Sequence, residues 1–324
     1  MRKLLIASAV AAIAVAPVAQ AEVSISGQVS NVVGFGGDFD DVKVVQNGAS
    51  GTRFRFKADK EMGSVKAAIR LELQDSKNVD GSNNDNDLRY ADISFAGGFG
   101  KLSIGQGDGA ANGVTEAYNS ATGNYFAGVQ GVDFALGSLE TGANRFSNLD
   151  FLSRNQRIRY DSPKFGGLQL SASLRSDSDS ANPDGDNATE IAARYSGKFG
   201  GTAVTLQAGS SSTDSNDTTG ISGGIHLPFG LTFGFSASDN DSTESQTLAI
   251  GYRSGKWRIS AETGESGGPN GDLNQIDTIG VTYAGPVTLF AAFASVSQGA
   301  AGAGEDAVPA VEFDAPIIGA RMTF

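Results

Sequence analysis

From Arg53 to Asp59 the chain alternates without a break. Arg53, Arg55, Lys57 and Asp59 fall on one parity, and Phe54, Phe56 and Ala58 fall on the other. Successive side chains of a strand point to opposite faces, so this segment as a strand has one charged face and one apolar face. The same two-faced pattern returns at Ile69-Arg70-Leu71 and at Arg157-Ile158-Arg159-Tyr160. A sheet that is oily on one side and charged on the other suits a closed barrel in a membrane, with lipid outside and water inside. A basic side chain turned toward lipid would cost roughly 2 to 4 kcal/mol at the bilayer midplane, so the charged parity must face water.

The N-terminus reads as an export signal. Met1-Arg2-Lys3 carries two cations, Leu4 to Ala19 is apolar except for Ser8 and Pro17, and Ala19-Gln20-Ala21 supplies a small-residue cleavage site. Residues 1–21 are therefore expected to be removed, leaving 22–324 as one domain. The chain carries a formal net charge of −12, which argues against a nucleic-acid partner. It has no cysteine, so neither disulfides nor thiolate metal sites hold the fold. After the signal, no apolar run approaches the roughly 20 residues of a spanning helix. Val287 to Val296, polar only at Thr288 and Ser295, fits a spanning strand.

Tight glycine-containing turns recur at Gly63-Ser64, Gly97 to Gly100, Gly166-Gly167, Gly200-Gly201, Phe229-Gly230, Gly255-Lys256 and Gly285-Pro286. From Gly166 onward they stand 25 to 34 residues apart, room for two strands and one longer loop. Those loops are polar and acidic, as at Ser176–Asn187, Glu265–Asn274 and Gln298–Val311. Short turns at one end and long loops at the other match an outer-membrane barrel with periplasmic turns and extracellular loops. A solenoid or propeller would repeat a core motif, whereas only the turn repeats here. The fold expected is all-β, an antiparallel transmembrane barrel of sixteen strands. They start near Val23, Thr52, Val65, Leu88, Lys101, Gln156, Leu168, Thr189, Ala203, Ile221, Leu231, Gln246, Trp257, Gln275, Val287 and Phe313. A barrel of that size encloses an aqueous channel. Pro316, near the start of the last strand, strains this reading because proline cannot donate to a ladder. Aromatics near strand ends, among them Tyr90, Tyr160, Phe199, Tyr252, Trp257 and Phe324, are expected to form interfacial girdles.

The segment Asn155 to Leu168, with Gly51-Thr52-Arg53-Phe54-Arg55-Phe56, Gly98 to Gly105 and the terminal Arg321-Met322-Thr323-Phe324, resembles the general porins of Gram-negative outer membranes, particularly the alphaproteobacterial type. The resemblance implies a homotrimer of sixteen-stranded barrels, each narrowed by a third extracellular loop folded into the lumen. That loop would be residues 107–152, where Val114, Tyr118, Phe126, Phe134, Leu136 and Leu139 suggest packing against something. The family sets loop acids against a basic cluster on the wall. Here the loop offers Asp108, Glu116, Asp133 and Glu140, and the parity of the strands offers Arg53, Arg55, Lys57, Arg70, Arg157, Arg159 and Arg175. The chain departs from the family at Gln106, where arginine commonly follows the glycine of strand five.

Charges of both signs across a narrow water channel create a transverse field that orients dipolar solutes and disfavours apolar ones. The expected function is passive diffusion of ions and small hydrophilic solutes through an outer-membrane channel, with outer-membrane lipid around it and no cofactor. Excess acid in the loops predicts a weak cation preference. Two rivals stand beside it, a barrel enzyme of the lipase or protease type and a surface β adhesin. His226 is the single histidine, which is thin support for a histidine-dependent hydrolase or a transition-metal site. The acidic stretches Asp80–Asp87 and Asp177–Asp186 could hold calcium through oxygen ligands, but neither shows the spacing of a calcium loop.

Overall fold

The computed structural model describes residues 22–48, 50–74, 87–116, 121–123, 126–139, 151–152, 154–175, 187–241, 243–267, 273–299 and 311–324. The candidate signal and the candidate calcium stretches Asp80–Asp87 and Asp177–Asp186 lie outside the described residues, except for Asp87, which opens the fifth strand.

A single antiparallel sheet closes on itself. Its first strands are β1 (Glu22–Gly34), β2 (Lys43–Gln46), β3 (Arg53–Met62), β4 (Val65–Gln74), β5 (Asp87–Gly97) and β6 (Gly100–Gly107). After a long insertion come β7 (Asn155–Asp161), β8 (Leu168–Arg175), β9 (Ala188–Phe199), β10 (Thr202–Thr213), β11 (Asp217–His226) and β12 (Leu231–Asn240). The sheet ends with β13 (Thr243–Ser254), β14 (Trp257–Gly267), β15 (Leu273–Ala284), β16 (Val287–Gln298) and β17 (Val311–Thr323). Both β2 and β3 pair with the same edge of β1, β2 at Asn31 to Gly34 and β3 at Glu22 to Gln28. They form one interrupted strand, so the barrel has sixteen staves. The short β2 was not legible in the sequence, since Lys43-Val44-Val45-Gln46 is too brief to show a period.

Closure is made by β1 and β17, with Gln28 opposite Thr323 and reciprocal bonds between the backbones of Gly27 and Phe324 at 2.9 and 3.0 Å. Pro316 sits inside β17, and its carbonyl accepts from Phe35 N just beyond the last β1 pairing at Gly34. A residue's N–H and C=O point to the same neighbour in an antiparallel ladder, so the donor that Pro316 lacks falls where β1 has already left.

Parity decides which face is which. Leu174, Leu248 and Ile279 are 61%, 60% and 63% exposed, and their row is the oily outside. At the short-turn end this face carries exposed Phe99, Tyr160, Phe199, Phe229, Trp257 and Phe324, with Trp257 and Tyr283 edge-to-face at 5.1 Å. That ring is the expected girdle. Tyr90 does not belong to it, because its side chain turns into the lumen, is buried, and donates to Asp108. The two-residue connection Gly166-Gly167 has φ of 59° and 93°, values that a tight hairpin needs and that only glycine adopts cheaply.

The inward parity is not polar throughout. On β15, β16, β17 and β1 it presents Ile276, Phe290, Val296, Ile317 and Val32, all buried. They form a core with a helix in the lumen, α1 (Val129–Leu139), through Val129, Val132, Leu136 and Leu139. The apolar run Val287–Val296 is thus a strand with lipid on one face and this helix on the other. We expect Ile250→Arg, in an outward row between Phe233 and Ala261, to lower unfolding free energy by roughly 2 to 4 kcal/mol. Denaturant titration of the refolded barrel measures this, and a negligible loss would place Ile250 in water.

Candidate functional site

The described residues of the insertion between β6 and β7 run along the inside of the barrel, and the wall holds them by polar side chains. Arg159 donates to Gly109 O at 2.7 Å, and Ser173 Oγ accepts from Ala110 N at 2.9 Å. Arg194 Nη2 donates to Ala110 O and Asn112 O at 2.7 and 2.8 Å. Ser222 donates to Val114 O, next to a 3₁₀ turn at Val114–Glu116. Further round, Thr122 Oγ1 and Ser260 Oγ are 2.7 Å apart, Thr282 donates to Thr122 O, and Glu262 Oε2 accepts from Val129 N at 3.0 Å. Glu262 therefore places a carboxylate on the N-terminus of α1, where orphan N–H groups and the helix dipole favour it.

The wall also makes room. A Cβ on Gly209 would stand 2.8 Å from a Val114 methyl, one on Gly280 would stand 2.5 Å from the Ala127 methyl, and one on Gly251 would meet Ala121. Gly109 in the loop itself crosses the Arg157–Glu190 pair so closely that a Cβ there would collide with both. Inward serines, threonines and glycines of β8 to β15 thus form a track on which the loop backbone lies. Glycines inside strands, a sign of close backbone approach, were the sequence signal for this track.

Apart from Tyr90 of β5, which donates to Asp108, the described loop contacts follow β7 to β17, β1 and β2, while β3 to β5 present charge to the remaining space. Fully buried Glu72 is held by Arg55, by Arg89 Nε at 3.0 Å and more distantly by Arg53 Nε at 4.0 Å. Arg53 also donates to Gln74 at 2.9 Å. Arg70 pairs with Asp92 and stacks its guanidinium 3.6 Å from the centre of the Tyr90 ring. Asp108 accepts from Tyr90 at 2.7 Å and pairs with Arg154 Nε at 3.0 Å, tying the two ends of the insertion together. Arg159 also pairs with Asp161 at 2.8 Å.

Of the predicted site residues, Arg53, Arg55, Arg70, Arg159 and Asp108 meet around this space, and Lys57 lies exposed on the same inward row of β3. Arg175 stands opposite Arg157 in the β7–β8 register, and Glu116 is half-buried at the end of the 3₁₀ turn. Two expectations are corrected. Arg157 is not a water-lining charge, since its side chain is 2% exposed and paired with Glu190 under the loop. Asp133 is not a constriction acid, being buried within α1. Glu140 lies outside the described residues. Parity also resolves the departure at Gln106. It shares the outward row of Ile104 and donates to Leu88 O, so it is not a wall position. Sequence reasoning missed Arg89, Arg154 and Arg194. Arg89 is the residue skipped at the register shift between Glu72 and Leu73, which breaks the parity rule, Arg154 precedes its strand, and the loop partners of Arg194 are more than 80 residues away.

Residues 7–284 match the profile of a family described as Gram-negative porin. The chain belongs to the Gram-negative porins. No curated relative matches its sequence. Among solved structures, it resembles an anion-selective porin from Comamonas acidovorans at TM-score 0.67 and 16% identity, covering 94% of this chain and all of that one. A mutant of the Rh. blastica porin gives 0.65 and 18% over the same shares. The trimer form of OmpT, an outer membrane protein of Vibrio cholerae, gives 0.64 and 14%, again over 94% and 100%. These likenesses support the fold, and the family places the porin in the outer membrane as a channel for passive diffusion.

Because Arg194 fastens the porin's loop by two charge-assisted bonds, each worth about 1.5 to 3 kcal/mol in such settings, Arg194→Ala should loosen it. Single-channel recording should then show higher conductance and more current noise. Unchanged conductance and noise would show that the loop does not depend on this anchor.

Proposed function

We propose that this porin is a size-limiting filter for ions and small hydrophilic solutes, with a weak cation preference, no catalysis, and assembly as a homotrimer inserted after removal of residues 1–21. The observation that carries the reading is the insertion laid along the inner wall opposite the arginines of β3 to β5. It narrows a sixteen-stave barrel to a passage with a charged side.

Ion pairing cancels much of the wall charge. Arg70, Arg154, Arg157 and Arg159 each face one carboxylate, while Glu72 is shared by several arginines and leaves a local positive excess. At the loop end the described chain is acidic, with Asp38, Asp40, Asp41, Asp214, Asp217, Asp239, Asp241 and Glu244 around the mouth. Acid at the mouth concentrates cations, and the excess on the wall keeps the preference small. Trimer assembly is supported by the trimer form of the Vibrio protein.

A hydrolytic barrel would need a carboxylate to orient its histidine. His226 ends β11 on the inward row, and its register partners on the two neighbouring strands are Ala203 and Thr232, neither of them a carboxylate. We expect stepwise conductance in planar bilayers and, in a salt gradient, a small reversal potential of cationic sign. A reversal potential of anionic sign would refute the preference, and a folded protein without stepwise conductance would refute the filter.

A further inference from the structure

Where β4 to β7 meet the root of the loop, a recess of about 210 Å³ opens beside the passage. Arg70, Asp92 and Asp108, which border the passage, also line the recess, and it continues along the inward row of β6 past Gly105 and Ser103 to Lys101. The hollow exists because β6 is bare at its loop end. Gly105 adopts a φ of 123°, and a Cβ there would strike Ala91 O at 2.3 Å, so only glycine fits. A Cβ on Gly107 would stand 3.2 Å from Asp92 Oδ2 and 3.7 Å from Arg70 Nη2. Glycine inside a strand marks a close approach. The recess is smaller than the roughly 300 Å³ at which pockets for drug-sized ligands begin, so it suits a solute of few atoms.

Most of the charge around the recess is already paired. Arg70 is bound to Asp92, Arg154 to Asp108, and Arg157 to Glu190. Asp161 stands opposite Lys101 in register, but it accepts from Arg159 at 2.8 and 3.0 Å and from Ser171 at 2.7 Å. The partner of Lys101 on the other side is Ala96. Lys101 is exposed, and among the described residues it has no ion-pair partner. The Ser103 hydroxyl, on the same inward row, has no hydrogen-bond partner among them either. The pairs cancel, which leaves the recess with one surplus cation and one free hydroxyl. A lysine ammonium on its flexible four-carbon stem can swing to the side of that hydroxyl.

We propose that this recess is a binding subsite for a small monocarboxylate, whose oxygens take the Lys101 ammonium and the Ser103 hydroxyl. This deepens the channel reading and rests on it. The charge count selects the ligand. A divalent oxyanion would meet one surplus cation beside the three carboxylates of Asp92, Asp108 and Asp161, and an ammonium-bearing solute would find each of those carboxylates closed by an arginine. A carboxylate finds a free ammonium and forms a charge-assisted bond to it. The row from Gly107 to Lys101 runs from the loop root toward the periplasmic turn at Gly97 to Gly100. A carboxylate that has passed the constriction therefore meets Lys101 next. The cation preference set at the mouth acts on all ions at long range, whereas this subsite acts on one class of anion by contact.

The test is single-channel recording of the full porin at neutral pH and constant ionic strength, with lactate as the probe and lactamide, its uncharged counterpart, as the control. Lactate should lower the mean current and raise its noise with a saturating dependence on concentration, and lactamide should do neither. Lys101→Gln should raise the half-saturating concentration about tenfold and Ser103→Ala about threefold, the losses of one charge-assisted and one neutral hydrogen bond. Lys101→Arg should recover part of the first loss. Lys198→Gln removes the same charge from the inward row of β9, outside the recess, and should leave the lactate response as it is. Lactate and lactamide acting alike, or Lys101→Gln and Lys198→Gln acting alike, overturns the subsite while leaving the channel intact. A folded protein with no conductance at all overturns the channel reading and this proposal with it.

Discussion

A backbone in hydrocarbon has no water to bond to, so every N–H and C=O in the membrane must find a partner within the protein. The pairing of Gly27 with Phe324 and of Gln28 with Thr323 meets that demand by joining the last strand to the first. Once the sheet is closed, one parity of each stave is committed to lipid and the other to the interior. The outward rows at Leu174, Leu248 and Ile279, and the inward arginines of β3 to β5, are consequences of that single closure. Pro316 and the interrupted β2–β3 stave sit where the ladder is locally released, so neither breaks it.

Closure leaves an interior wider than side chains alone can fill. The insertion between β6 and β7 solves this by two kinds of contact. On β7 to β15 the wall offers hydroxyls, arginine forks and bare glycine backbone to the loop's carbonyls and small side chains. On β15 to β17 and β1 it offers an apolar surface to α1. The inner wall therefore changes character around its circumference, from charged, to polar and small, to oily. The passage is left at the charged sector, and the arginines there are themselves steadied by Glu72, Asp92 and Asp108. Fixed pairs of this kind set a field across the passage without leaving long side chains loose in it.

The sequence made the barrel legible because the barrel is written locally. Alternation at Arg53–Asp59 identifies a two-faced strand without reference to any other segment, and glycine-marked turns count the staves. The site was legible only in part. Parity told that Arg157 points inward, but burial of its side chain depends on Gly109 and Glu190, which are distant in sequence. Asp133 looked like a loop acid because nothing local shows that the segment becomes a helix packed on Val32 and Ile276. The apolar run at Val287–Val296 held a clue, since a strand oily on both faces must bury both. Arg194 was invisible for the same reason as Arg157: its partners are carbonyls of a remote loop.

The narrowed passage depends on the loop lying inside the barrel against the far wall. The most direct measurement uses the cysteine-free chain. Thr122 Oγ1 and Ser260 Oγ are 2.7 Å apart, so a Thr122→Cys, Ser260→Cys double variant should form a disulfide on folding and keep the native single-channel conductance. If both thiols stay free and react with an impermeant reagent added from the loop end, the loop lies outside and the narrowed passage does not exist.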